Sequence, residues 1–423
     1  MDKIEKIIKY GQYILIFLFI IIYISQIIQI FNNSNPIGDE SYYLMELNRF
    51  RNDGLWKSFS SGISHLYILL SYLFSFITKT DLLSLRIINV LILPITIYLM
   101  WLIIKIIISN KDMIKLALLT SIFLLICTKT GGMFFAGIND PLMILLALSS
   151  MYFLLKYNNS LLLKDLIIAS LFSGMMLWVR SFSIIIMGGY LAWIFLFAIL
   201  KSPFWKNFGR AVIYVLIIVL IALIPQIPSL LENGEINFEH KGGNEHNWEE
   251  MNWLTRVKRY NSGSIFAYKR PTWEEVDEYK RIYGENSLPH GLKEKFKIDP
   301  KFMIDNFVVN VCFRVPYILL VSIGFFFLSF LNYLRLLEKW CFKKNRDNLL
   351  LLLTTLSVWL GVSLVIINYV EHRWQFMTAF CTLVLGAESA AQFQKQKYYN
   401  ILIILQYSFL IIMSTISVFK LLL

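Results

Sequence analysis

The sequence predicts an all-α, polytopic membrane protein of about eleven transmembrane helices, with short helices on the outer leaflet and one small extracytoplasmic cap. Three observations carry this expectation. The chain is 57% hydrophobic and only 16% charged, with a mean hydropathy of +0.60, outside the range of ordinary soluble enzymes. Apolar runs long enough to span a bilayer recur along it, and their continuous Ile, Leu and Phe content lacks the alternation of a β-barrel. Lys and Arg gather in alternate loops.

The elements follow in order. Lys3, Lys6 and Lys9 precede an apolar run from Gln12 to Phe31. That run exceeds a signal-peptide core and has no small-residue cleavage site, so a retained first span with a cytoplasmic amino end is expected. Further spans are expected at 83–108, 114–130, 138–155, 166–180, 182–200, 211–228, 306–330, 349–368, 374–391 and 400–419. With that count the basic loops (Lys105/Lys111/Lys115, Lys156/Lys164, Lys201/Lys206/Arg210, Arg335 to Arg346, Lys395/Lys397) all fall in the cytoplasm. The apolar segment Ser64 to Thr78 is too short to cross, and counting it would invert every later loop. It is expected to lie on the outer leaflet.

The large polar segment from Ser229 to about Asp305 separates a membrane domain at 1–228 from a second one at 306–423. Its aromatic content argues for a folded cap at 229–305. Within it, Trp273 to Tyr283 reads as a helix opened by Pro271-Thr272, with Thr272 and Glu275 as a capping box. Residues 229–301 hold 12 basic and 13 acidic side chains, so the formal charge of +12 resides in the membrane domains. That distribution reflects topology and anionic lipid, and excludes a nucleic-acid partner. Four scattered cysteines with no CxxC pair suggest neither a disulfide frame nor a zinc site.

Charged residues near the outer span ends are the candidate functional groups. Asp39 and Glu40 follow the first span, Arg86 opens the second, Lys129 closes the third, Asp140 opens the fourth and Arg180 closes the fifth. Arg314 lies within the eighth, and Glu371, His372 and Arg373 form the turn between the ninth and tenth. All five histidines, His65 and His246 among them, fall on the expected outer side. A carboxylate pair beside several cations at headgroup depth suits sugar transfer from a lipid phosphate. Such a reaction needs a base for the acceptor hydroxyl and cations, or a metal, for the departing phosphate. Blander readings stand beside this one. Asp39 and Glu40 cap the helix after Pro36; Arg86, Lys129 and Arg180 snorkel; Asp140 complements a helix dipole; Glu371 pairs with Arg373. A divalent metal is a candidate cofactor, with Glu40, Asp140 and His246 as candidate ligands, although no histidine pair has diagnostic spacing.

At these residues the chain resembles the GT-C superfamily of membrane glycosyltransferases, and within it bacterial relatives of the protein O-mannosyltransferases and the lipid A aminoarabinose transferase (family 39-like). The segments carrying the likeness are GDESYYLMELNRF with Asp39-Glu40, the outer-leaflet helix SHLYILLSYLFSFI, and LSLRIINVL with Arg86. GINDPLMILLALSSMYFLL with Asp140, GMMLWVRSFSI with Arg180 and the turn Glu371-His372-Arg373-Trp374 complete it. The Lys-Pro-Pro element of the aminoarabinose enzymes is absent, and Arg-Trp stands where Arg-Tyr is usual. The resemblance implies an inverting transferase using a polyprenyl-phosphate sugar, acting on a glycan, lipid or protein acceptor outside a bacterial cytoplasmic membrane. It implies Asp39 as base, supported by Glu40 and Asp140. Arg86, Arg180, Arg314 and Arg373 become donor-phosphate ligands, with Lys129, Glu371, His372 and His65 in support. Two other functions fit the same composition, a surface-polysaccharide polymerase or ligase and a flippase of lipid-linked sugars. The near-absence of charge at mid-membrane disfavours the flippase.

Overall fold

The computed structural model describes residues 3–61, 63–128, 132–234, 236, 248–261, 271–289, 291–336, 346–367, 370–392 and 397–422. Lys129, His240, His246, His290 and Cys341 lie outside the described residues. Nineteen α-helices and no strand occur among the described residues. They are α1 (Lys3–Asn32), α2 (Glu40–Ser61), α3 (His65–Ser75), α4 (Asp81–Ile107), α5 (Lys111–Ile126), α6 (Asp140–Ser160), α7 (Leu163–Leu177), α8 (Ser183–Leu200) and α9 (Phe204–Leu223). There follow α10 (Ile227–Asn233), α11 (Trp248–Asn261), α12 (Trp273–Tyr283), α13 (Leu292–Ile298), α14 (Pro300–Val309) and α15 (Val315–Ile323). The chain closes with α16 (Phe326–Leu336), α17 (Arg346–Val365), α18 (Phe376–Ala391) and α19 (Lys397–Leu422).

Eight helical segments are long and apolar enough to cross a membrane, making this a multi-pass protein. Three further segments read from the sequence as spans form shorter helices, α5, α7 and α18, of 15 to 16 residues. α18 is buried along nearly its whole length and α6 over 78% of its apolar window, so these helices are the bundle's interior. α1 and α19 pack on each other at the periphery, where only 22% and 28% of their windows are buried. Small residues let the interior helices close up, as expected where packing rather than hydrophobicity drives association. At Gly189 a Cβ would stand 2.6 Å from the Thr354 Cα, and at Gly386 it would run into the Phe326 carbonyl oxygen.

The expected span at 306–330 is drawn differently. The helical run begins at Pro300, passes through a π-turn at Asn310–Arg314 and stops at Ile323. Gly324, at φ +60°, then redirects the chain into α16. The glycine is required twice, by its positive φ and because the Phe409 ring and the Gln406 amide fill the space of a Cβ. Gln406 accepts the Phe325 N–H at 2.9 Å, satisfying the broken backbone.

α3 has 11 residues, a rise of about 17 Å, too short for a bilayer core. In the polar segment, the Thr272–Glu275 capping box forms as the sequence predicts, opening α12. Met251, Trp253, Leu254, Val276 and Leu288 build a small apolar cluster that also takes in Met303 and Ile367, tying this segment to the α17 end of the bundle.

Candidate active site

The segment Ala136 to Asp140 is where distant elements meet, and each of its residues is held. Arg86 and Asn89 are one turn apart on α4, so both project from one helix face. The Asn89 amide donates to the Ala136 and Ile138 carbonyls, the latter at 2.7 Å. Gly137 donates its N–H to Glu40 Oε1 at 2.6 Å, and a Cβ there would press on Leu85 at 2.8 Å. Asn139 donates to Ser64 Oγ and, at 2.7 Å, to the Val179 carbonyl, and Ser64 Oγ donates to that same carbonyl at 2.6 Å. This strut ties the start of α3 to the segment after α7. Asp140 follows at the first turn of α6, with Pro141 inside that turn.

Two ionic clusters flank the segment. In the first, Glu40 and Arg86 form a pair whose side chains are 1% and 3% exposed. Arg86 donates from Nε and Nη2 to the carboxylate at 2.8 and 2.7 Å. Its remaining donors go to the carbonyls of Ile30, Asn33 and Asn35. The Glu40 carboxylate also accepts the Ile37 N–H at 2.7 Å. Burial pushes the Glu40 carboxyl up, but Arg86 and the two backbone N–H groups outweigh it and hold it below its ordinary value. The donors of Arg86 are thus spent on the loop leaving α1, and Glu40 serves the start of α2.

In the second cluster Arg373 is the hub. It donates from Nη2 to Asp39 at 2.9 Å, from Nη1 to Asp140 at 3.2 Å and from Nε to Glu371. The other oxygen of Asp140 pairs with Arg180. Burial works against the Arg373 charge, but Asp140, Glu371 and Asp39 outweigh it and raise its pKa above the ordinary guanidinium value. Three carboxylates and two guanidiniums thus meet in one cluster. Asp140 is 1% exposed, whereas Asp39 is 28% exposed and the most accessible carboxylate of the group.

The other sequence candidates fall around these clusters. Arg314 donates to Asn306 at 3.2 Å and to Asn310 at 2.8 Å on its own helical run. Those asparagines donate to the Ile366 carbonyl at the end of α17, and these bonds tie Arg314 to its own helical run, not to the Arg373 cluster. His372 opens the turn, half-buried, and Trp374 lies 6.0 Å from Phe182. His65 is buried beneath Phe59, with ring centroids 4.6 Å apart, and burial pushes its pKa down to about 4. Asn89, Gly137, Asn139 and Ser64 escaped sequence reasoning. A polar residue one turn from Arg86 inside an apolar span was the available signal for Asn89.

Of the candidate metal ligands, His246 lies outside the described residues, and Glu40 and Asp140 are already engaged. Both oxygens of Glu40 and of Asp140 already accept from guanidinium or backbone groups. No three His, Cys, Asp or Glu side chains converge in ligating fashion among the described residues.

No family model matches this chain, and no curated protein matches it either. Among solved structures the chain is similar to the oligosaccharyltransferase of Archaeoglobus fulgidus, crystallised with an acceptor peptide containing the NVT sequon tethered by a disulfide bond. The identity is 12%, the TM-score 0.49, and the match covers 96% of this chain and 55% of that one. This chain therefore spans about half the length of that structure.

Proposed function

We propose that the protein is a GT-C-type membrane glycosyltransferase that moves a sugar from a polyprenyl-phosphate donor to a glycan, lipid or protein acceptor on the extracytoplasmic side. The observation that supports this reading is the Arg373 hub, where Asp39, Asp140 and Glu371 from three separate segments meet one guanidinium beside Arg180. A spare membrane anchor has no use for such an arrangement, since unneeded ionisable groups beside the bilayer are costly.

In this reading the donor phosphate exchanges onto Arg373 and Arg180, taking over guanidinium donors now spent on carboxylates. Asp39, the exposed member, is then released toward the acceptor and takes its hydroxyl proton. The acceptor oxygen forms a bond to the anomeric carbon as the carbon–phosphate oxygen bond breaks on the opposite face, inverting the centre. The electron pair leaves with the polyprenyl phosphate, whose charge the two arginines stabilise. Asp140 aims both guanidiniums, while Glu40 and Arg86 brace the loop that carries Asp39.

The test gives purified protein a labelled polyprenyl-phosphate sugar and an acceptor mixture. Asp39→Asn is expected to lower turnover by about 10²–10⁴-fold, the range for a positioned base. Arg373→Lys should retain fold while raising KM for the donor. Undiminished turnover by Asp39→Asn removes the proposal, and donor flipping without turnover favours the flippase.

A further inference from the structure

A second group of charges lies at the other end of the bundle. α8 begins beside Arg180 and ends at Lys201, a rise of about 27 Å over its 18 residues. There Tyr157 of α6 and Phe197 of α8 pack with ring centroids 5.5 Å apart. Lys201 lies over the Phe197 ring at 5.0 Å, Arg346 over the same ring at 5.4 Å, and Arg210 over Tyr157 at 5.8 Å. Three cations from separate segments therefore share one aromatic platform.

None of the three has an acidic partner among the described residues. Asp347, next to Arg346 in sequence, is engaged by the Asn158 amide at 2.7 Å. The fold nevertheless fixes the cations together. Trp193 donates to the Arg346 carbonyl at 2.9 Å, and Asn207 donates to the Lys201 carbonyl at 2.9 Å. Burial and the charges of Arg346 and Arg210 depress the Lys201 ammonium, as expected of like charges held close. Beside them the start of α9 exposes Trp205 at 78%, edge-on to Phe204 and Phe208, which stack on each other. Exposed aromatics of this kind mark headgroup depth.

We infer that Lys201, Arg210 and Arg346 form a binding site for the phosphate of an acidic phospholipid headgroup, at the bundle end opposite Asp39. Three cations held together, with no acidic partner among the described residues, are completed by a phosphate, and the neighbouring aromatic belt puts that phosphate in the lipid layer. The headgroup would sit between α8, α9 and α17.

The test reconstitutes the full chain in nanodiscs and titrates phosphatidylglycerol against phosphatidylcholine, reading retained lipid by native mass spectrometry. The wild type is expected to select phosphatidylglycerol, and Lys201→Gln with Arg210→Gln to weaken that selection about thirtyfold, from the usual contribution of two juxtamembrane cations. Lys201→Arg with Arg210→Lys, which keeps both charges, should restore it. Should the double neutral variant fail to fold, Lys201→Gln alone carries the test, with an expected loss of about fivefold. Selection unchanged in whichever neutral variant folds overturns the proposal. Displacement of the lipid by millimolar inorganic phosphate overturns it too, since the ligand would then be a soluble anion.

Discussion

Glu40→Gln isolates the contribution of the buried pair to the fold. The amide has the shape of the carboxylate, but only one of its two ends accepts. Four hydrogen bonds reach the carboxylate, from Arg86 Nε and Nη2, Gly137 N and Ile37 N, at 2.6 to 2.8 Å. In the variant, those at one end of the group face an N–H₂ group instead, and the Arg86 charge is left buried without its counter-ion. Removing one member of a buried, hydrogen-bonded pair costs about 3–5 kcal/mol, a large share of the roughly 5–15 kcal/mol that holds a typical protein folded. Tryptophan-fluorescence melting in detergent reads the loss directly. Arg86→Met should cost a similar amount, because it orphans Glu40 and three carbonyls. The double variant should fall short of the sum of the singles by about 2 kcal/mol, as contacting pairs do. Glu40 also gives the loss a pH signature. Its carboxyl is held below the ordinary 4.5, so its stabilisation is complete above that pH and disappears as pH falls through the lower folded value. Single variants melting within about 1 °C of wild type, the shift of roughly 1 kcal/mol in a chain of this length, would refute the reasoning.

His65 predicts a second pH effect at higher pH. Its folded pKa of about 4 lies below the ordinary 6.5, so the unfolded chain takes a proton that the native fold refuses. Stability is then lost as pH falls from 6.5 toward 4, by about 2 kcal/mol between 6.5 and 5. His65→Phe should flatten this part of a melting-temperature profile, and a slope that survives the substitution argues against burial as its cause. Gly386→Ala should destabilise by about 1–3 kcal/mol, because its methyl meets backbone of α16 that has nowhere to retreat. Gly209→Ala in α9 has nothing within 4 Å of the new methyl and should raise the melting temperature slightly.

Much of the architecture was legible in the chain because its signals are local. The apolar runs gave the spanning helices, and Thr272 with Glu275 gave the α12 cap, since both ends of a capping box lie within one turn. The shortness of Ser64 to Thr78 likewise foretold α3. Gly324 was missed because the apolar run continues unbroken through it, and its need for a positive φ leaves no trace in hydropathy. At the site, residue types were legible but partnerships were not. Arg86 and Arg373 look alike in sequence as cations at span ends. Only the folded chain spends Arg86 on three carbonyls and Glu40, and sets Arg373 among three carboxylates. Glu371 with Arg373 was legible as a neighbouring pair, whereas the reach of Arg373 to Asp39 and Asp140 was not.

The bond between Arg373 and Asp39 joins residues 334 positions apart, and that separation bears on how the protein is made. At ribosomal speeds of about 5–20 residues per second, the carboxylates of the first loop emerge roughly twenty seconds to a minute before their guanidinium exists. Until α17 and α18 insert, Asp39 and Asp140 lack their Arg373 contacts, although Arg180, made earlier, can already pair with Asp140. A ribosome that stops short of α17 therefore leaves behind a bundle whose ionic cluster lacks its hub, a local defect by which an unfinished copy differs from a finished one.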